Sequence, residues 1–141
     1  MAKVNFYLLK QSAPVARQAL ACRLADQQSK NGQRVFIATD SQESARELDQ
    51  LLWSFTPDSF LPHVLATDES AVHAQVVIGA DSAVPASVSC VLNLGEVAIA
   101  GQSGLGTIAE FILNDASAKA DGRVRWNHYQ QLGFELQFHQ L

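Results

Sequence analysis

An α/β domain with a mainly parallel sheet covered on both faces is what this sequence predicts, on three observations. Strand-like and helix-like segments alternate along the chain, which is the pattern of β–α–β units. The runs VNFYLL, VFIAT, QVVIG and VSCVLNLG read as strands, VNFYLL apolar enough for burial on both faces. Pro and Gly stand where helices should begin and end.

Taken in order, VNFYLL (residues 4–9) is a first strand. Pro14 suits the first turn of a helix that runs to about Asn31, with Ala16, Leu20 and Leu24 on one face. Gly32 sits where a left-handed C-cap belongs. VFIAT (35–39) is rich in β-formers. Asp40 reads as an N-cap with Glu43 completing a capping box, and the helix that follows carries Ala45, Leu48 and Leu52 at helical spacing. Pro57 cannot continue it. QVVIG (75–79) and VSCVLNLG (88–95) are strands joined by the loop chemistry of ADSAVPAS. The spacing of Ile108, Phe111 and Ile112 predicts a third helix from about Gly106. A fourth spans Ala116 to Leu132 and stops at Gly133, although Gly122 inside it weakens it by about 1 kcal/mol relative to Ala. FELQFH (134–139) alternates with period two and reads as a last strand at an edge.

The 141 residues suit one domain, residues 1–141. With 48% apolar and 17% charged residues, the composition is that of a chain that buries a core. Ten basic residues stand against fourteen acidic ones, a net charge of −4. That balance argues against strong direct binding to nucleic acid, which needs excess cations. Cys22 and Cys90 fall in apolar stretches with no CxxC pattern and read as buried free thiols. No signal peptide or membrane span is evident, so a cytoplasmic location is expected.

Motifs for chemistry are weak. GQSGLGTIAE (101–110) is glycine-rich and follows a strand, and backbone N–H groups at such a turn can hold phosphate at a helix N-terminus. It is neither GxGxxG nor a P-loop, because no Lys precedes Thr107. Ser103 misses the nucleophile-elbow register, Leu105 standing where Gly is required. His63, His73, His128 and His139 lack ligand spacing, and Asp68 and Glu69 are adjacent and would point apart in a strand. These features indicate neither a metal nor a cofactor. LLWSFTPDSFLPH (51–63) raises a different possibility. A helix ends there and a loop begins, yet the segment carries Trp53, Phe55 and Phe60. Aromatic clusters on surface segments mark binding surfaces.

Read as a whole, from about residue 3 to residue 139, the chain resembles the chi subunit of bacterial DNA polymerase III. The resemblance is carried by VNFYLL, GQRVFIATDS, LDQLLW, SFLPH, VVIG, VLNLG and RVRWNHYQQLGFELQFH, in that order. Its most specific parts are Trp53 followed by Ser59-Phe60-Leu61-Pro62-His63, and the ending in which Arg123, Trp126 and Tyr129 precede Gly133-Phe134. It implies a Rossmann-like three-layer αβα sandwich that works as an adaptor without catalysis. It further implies two sites. Trp53, Phe60, Pro62 and His63, the last three in a loop, would face a psi-like subunit of the clamp loader. Ile112, Lys119, Arg123, Trp126, Asn127 and Gln130 would hold the acidic, Phe-terminated tail of the single-stranded-DNA-binding protein. Lys119 and Arg123 keep the family's basic character and Trp126 stands where Tyr is usual. Asn127 and Gln130 are neutral where Lys or Arg is typical, and Arg125 lies on another side of the helix. Two alternatives stay open on the residues: a nucleotide-binding protein or enzyme using the Gly101–Thr107 loop, and an adaptor for a repair helicase.

Overall fold

The computed structural model describes residues 3–55, 63–68, 71, 74–80, 84–85, 87–99 and 105–141. Seven strands form one sheet in the order β3-β4-β2-β5-β6-β1-β7: β1 (Lys3–Leu8), β2 (Val35–Ala38), β3 (His63–Leu65), β4 (Val76–Gly79), β5 (Cys90–Asn93), β6 (Thr107–Ile112) and β7 (Glu135–Gln140). Every pairing is parallel. Three helices cover it: α1 (Pro14–Lys30), α2 (Gln42–Phe55) and α3 (Ala116–Gln131).

Helices α1 and α2 pack on one face, where Ala21, Cys22, Ala25, Ala45, Leu48 and Leu52 meet Val35, Ile37, Val76 and Leu92. Helix α3 packs on the other, where Tyr129 and Trp126 meet Val4, Phe6, Ile108 and Ile112. The expected three-layer α/β sandwich is therefore present. Cys22 and Cys90 are buried free thiols, and burial pushes Cys22 up to about 11. No described helix is long and apolar enough to cross a membrane.

Two helices end as their glycines predict. Gly32 and Gly133 have φ of 80° and 85°, a region open to glycine without a Cβ penalty. Around each, two backbone bonds close a Schellman motif: Gln33 N to Gln28 O at 2.9 Å and Gly32 N to Ser29 O at 3.0 Å, then Phe134 N to Tyr129 O at 3.2 Å and Gly133 N to Gln130 O at 3.1 Å. Phe134 also packs edge-on against Tyr129, with ring centroids 5.4 Å apart, which supplies the apolar contact such a cap favours.

Three expectations are corrected. Residues 107–112 form a strand rather than a helix. Its five residues from Ile108 to Ile112 are all buried because β6 runs between β5 and β1 with helices on both sides, and a strand buried on both faces mimics any apolar spacing. The cap of α2 is Ser41, whose Oγ accepts from Ser44 N at 3.0 Å. Asp40 instead uses Oδ1 to accept from Glu96 N at 2.8 Å, tying the end of β2 to the loop after β5. His63 does not lie in a loop; it opens the three-residue edge strand β3 and is buried.

A groove between helix α3 and the edge of the sheet

Helix α3 starts on Asp115, whose side chain accepts from Ala118 N at 2.7 Å. Its inner face is fixed by a buried polar cluster. Glu110, in the middle of β6 and fully buried, takes Arg125 Nε at 2.8 Å on one carboxylate oxygen. The other oxygen accepts from Tyr129 Oη at 2.6 Å and from Asn93 Nδ2 at 2.7 Å. Tyr129 Oη in turn accepts from Ile99 N at 2.8 Å. Burial raises the Glu110 carboxyl above its ordinary range, against the pull of the Arg125 guanidinium, the Tyr129 hydroxyl and the Asn93 amide. Burial and the neighbouring carboxylate raise the Tyr129 phenol as well.

With Arg125 and Tyr129 turned inward, Lys119, Arg123 and Trp126 line the flank that faces the edge of the sheet. They bound a groove of about 530 Å³ together with Gly122, Phe6 and Leu8 of β1, Ile112 of β6 and Phe138 of β7. That volume lies within the usual range of small-ligand and peptide-anchor sites. The floor is apolar and aromatic. Trp126 meets Phe6 edge-on at 5.1 Å, and Phe138 is 54% exposed. Gly122 lets the helix come close, since a Cβ there would stand 2.6 Å from Ile112 Cδ1. Lys119 and Arg123 form no ion pair among the described residues, so two cations are available at the lip of an apolar slot.

Of the six residues expected here, the structure thus brings together Ile112, Lys119, Arg123 and Trp126. Asn127 and Gln130 are exposed on the same helix but do not line the groove. Phe6, Leu8, Gly122 and Phe138 were not anticipated. The alternation in FELQFH was the available signal for Phe138; the contribution of β1 arises only once β6, β1 and β7 are adjacent.

The other expected surface divides. Trp53, near the end of α2, is 53% exposed. Its ring lies tilted on that of His63 at 4.5 Å. His63 is held from behind: Nε2 is 3.1 Å from Asp49 O, which can only accept, and 3.3 Å from Asp49 Oδ1. The histidine therefore supports the Trp53 ring rather than offering its own surface. Phe60 and Pro62 lie outside the described residues, as do Gly101, Ser103, Gly104, His73 and Glu69. The described part of the glycine-rich loop does not cradle an anion. Gly106 N and Thr107 N both donate to Ser89 O, at 2.9 and 3.1 Å, and a strand rather than a helix N-terminus follows. Among the described residues no group of three His, Cys, Asp or Glu side chains is placed to hold a metal.

The family described as "DNA polymerase III chi subunit, HolC" matches residues 1–137. A relative named DNA polymerase III subunit chi from Pseudomonas aeruginosa is 29% identical over 141 residues, covering 100% of this chain and 98% of that protein. Its namesake from Escherichia coli is 30% identical over 141 residues, covering 96% of each. Among solved structures, T4 UvsW shares the fold, with a TM-score of 0.69 at 11% identity; the match covers 99% of this chain and 41% of the UvsW chain.

Proposed function

Because this chain belongs to the DNA polymerase III chi subunit family, we propose that it is a non-catalytic cytoplasmic adaptor that links a psi-like clamp-loader partner to the tail of the single-stranded-DNA-binding protein. The observation that carries the reading is the pairing of free cations with an apolar slot. Lys119 and Arg123 flank a groove floored by Phe6, Ile112, Trp126 and Phe138. An acidic peptide ending in Phe needs both parts: cations for its carboxylates and an aromatic pocket for its ring. Guanidinium–carboxylate contacts are directional and can be bidentate, which gives Arg123 the larger role in register.

Asn127 and Gln130, exposed on α3 outside the groove, offer no charge to carboxylates of a tail that extends beyond it. Each exposed ion pair contributes about 0.2–1 kcal/mol, so the lack of two weakens the tail complex several-fold without abolishing it. A second surface, Trp53 supported by His63 and continued by Phe60 and Pro62 along the chain, would meet the psi-like partner. A repair helicase is a further candidate for that surface, since an exposed Trp at a helix end suits more than one partner.

The test is a calorimetric titration with a peptide of several Asp residues and a terminal Phe carboxylate. Affinity on the order of micromolar is expected, about −8 kcal/mol, falling as salt rises because exposed charges are screened within about 8–10 Å. Removing the terminal Phe should weaken binding. Affinity indifferent to both salt and the terminal Phe would reject the groove as the tail site.

A further inference from the structure

The groove described above opens on its outer side at β7, and β7 has one strand neighbour, β1, among the described residues. In a parallel ladder alternate residues direct both backbone groups to one neighbour, and the residues between them direct theirs to the other side. Which set faces outward follows from two bonds. Leu9 N donates to Ile112 O at 2.9 Å, so the odd residues of β1 serve β6. Leu141 N donates to Leu8 O at 3.0 Å, so the even residues of β1 serve β7 and the odd residues of β7 receive them. The N–H and C=O groups of Leu136, Phe138 and Gln140 therefore point away from the sheet. The same residues carry their side chains on the α3 face, where Leu136 packs on the core and Phe138 lines the groove.

We propose that the acidic peptide binds in an extended form, as an eighth strand added to the outer edge of β7, hydrogen-bonded to the backbone of Leu136, Phe138 and Gln140, with alternate side chains turned into the groove beside Lys119 and Arg123. The proposal rests on the assignment of the groove to an acidic tail. Three observations support it. First, β7 is six residues long and carries neither Lys nor Pro, the residues that commonly blunt an edge; Glu135 is its one acidic side chain. By contrast the opposite edge, β3, has three residues. Second, Phe138 of β7 lines the groove, so a strand laid along β7 lies beside its floor. Third, the charges agree: the cations stand on α3 over the side of the edge to which alternate peptide carboxylates would point. Strand addition supplies affinity from the main chain and specificity from alternate side chains, which fits a site with few cations.

The experiment is amide hydrogen exchange on the intact 15N-labelled chain, free and saturated with the acidic Phe-ended peptide, with calorimetry on the same samples. In the free protein the amides of Leu136, Phe138 and Gln140 should exchange quickly and those of Gln137, His139 and Leu141 slowly. Saturation should slow Leu136, Phe138 and Gln140 by about tenfold or more, as expected when open amides enter a ladder. A peptide methylated on the alternate backbone nitrogens that face β7 should lose about tenfold in affinity, the loss of about 1.4 kcal/mol expected for main-chain bonds, while methylation of the intervening nitrogens should not. Calorimetric binding without new protection overturns strand addition and leaves the tail assignment standing. No calorimetric binding overturns both. Protection of the three amides that grows with protein concentration in the free chain assigns the edge to a second copy of this chain and overturns the proposal.

Discussion

Arg125 and Arg123 are two positions apart on α3, and their environments could hardly differ more. Arg123 is exposed at the lip of the groove; Arg125 is buried with its Nε on a carboxylate oxygen of Glu110. Removing one partner of a buried pair leaves the other without compensation, which typically costs about 3–5 kcal/mol. Arg125→Met should therefore destabilise the fold by roughly that amount, measured by urea unfolding at pH 7. The sign of the pH dependence follows from Glu110. Its carboxyl is already raised by burial, and loss of the cation raises it further. A raised folded-state value gives stability that is held at low pH and lost as pH rises through it. The deficit of Arg125→Met relative to the parent should shrink as pH falls through the raised Glu110 range; a deficit independent of pH would mean that Glu110 does not titrate against this pair. At this scale the sequence was only partly legible. Lys119, Arg123 and Trp126 are recognisable because their spacing defines a helical stripe. The partner of Arg125 was not, because it depends on residues 107–112 being a strand.

At the scale of elements, the close approach of α3 to β6 explains the one glycine inside a helix among the described residues. The conformational cost of Gly122 is about 1 kcal/mol relative to Ala. A methyl group there would meet Ile112 Cδ1 at 2.6 Å and Cγ1 at 3.1 Å, and the Ile112 side chain would have to turn within the groove. Overpacking of that kind typically costs about 1–3 kcal/mol, so the helix-propensity gain of Gly122→Ala should offset part of it and leave a net loss of about 0–2 kcal/mol. Peptide affinity should fall more clearly, because Ile112 forms the floor. Calorimetry and urea unfolding on the same variant check this; unchanged affinity would mean that the peptide does not reach Ile112. Elements bounded by Pro or Gly were legible: α1 with β1 and β2 on either side of it, and α3 with β7 after it. Two were not. Strand β6 carries an apolar pattern that fits a helix equally well, since burial on both faces erases the period of two. Strand β3 is three residues long and follows Pro62, too short for any pattern to show.

Over the whole molecule, the two surfaces proposed for partners lie at opposite ends of the sheet order. Trp53 and His63 stand by β3, the groove by β7, with five strands between. Such separation lets two partners dock on the sheet without sharing residues, as an adaptor requires. The alternation of β and α segments made the parallel sandwich readable from the chain. The groove was less so, because Phe6, Leu8 and Phe138 reach it only through the long-range order β6-β1-β7. The central claim, that Lys119 and Arg123 receive the carboxylates of an acidic tail, is tested most directly by a thermodynamic cycle. Four calorimetric titrations would pair the parent chain and the Lys119→Ala/Arg123→Ala variant with the acidic peptide and with its Asp→Asn counterpart. The account predicts a favourable coupling of about 0.5–3 kcal/mol between the two changes. Additivity within about 0.3–0.5 kcal/mol would contradict it and show that the cations and the peptide carboxylates do not meet.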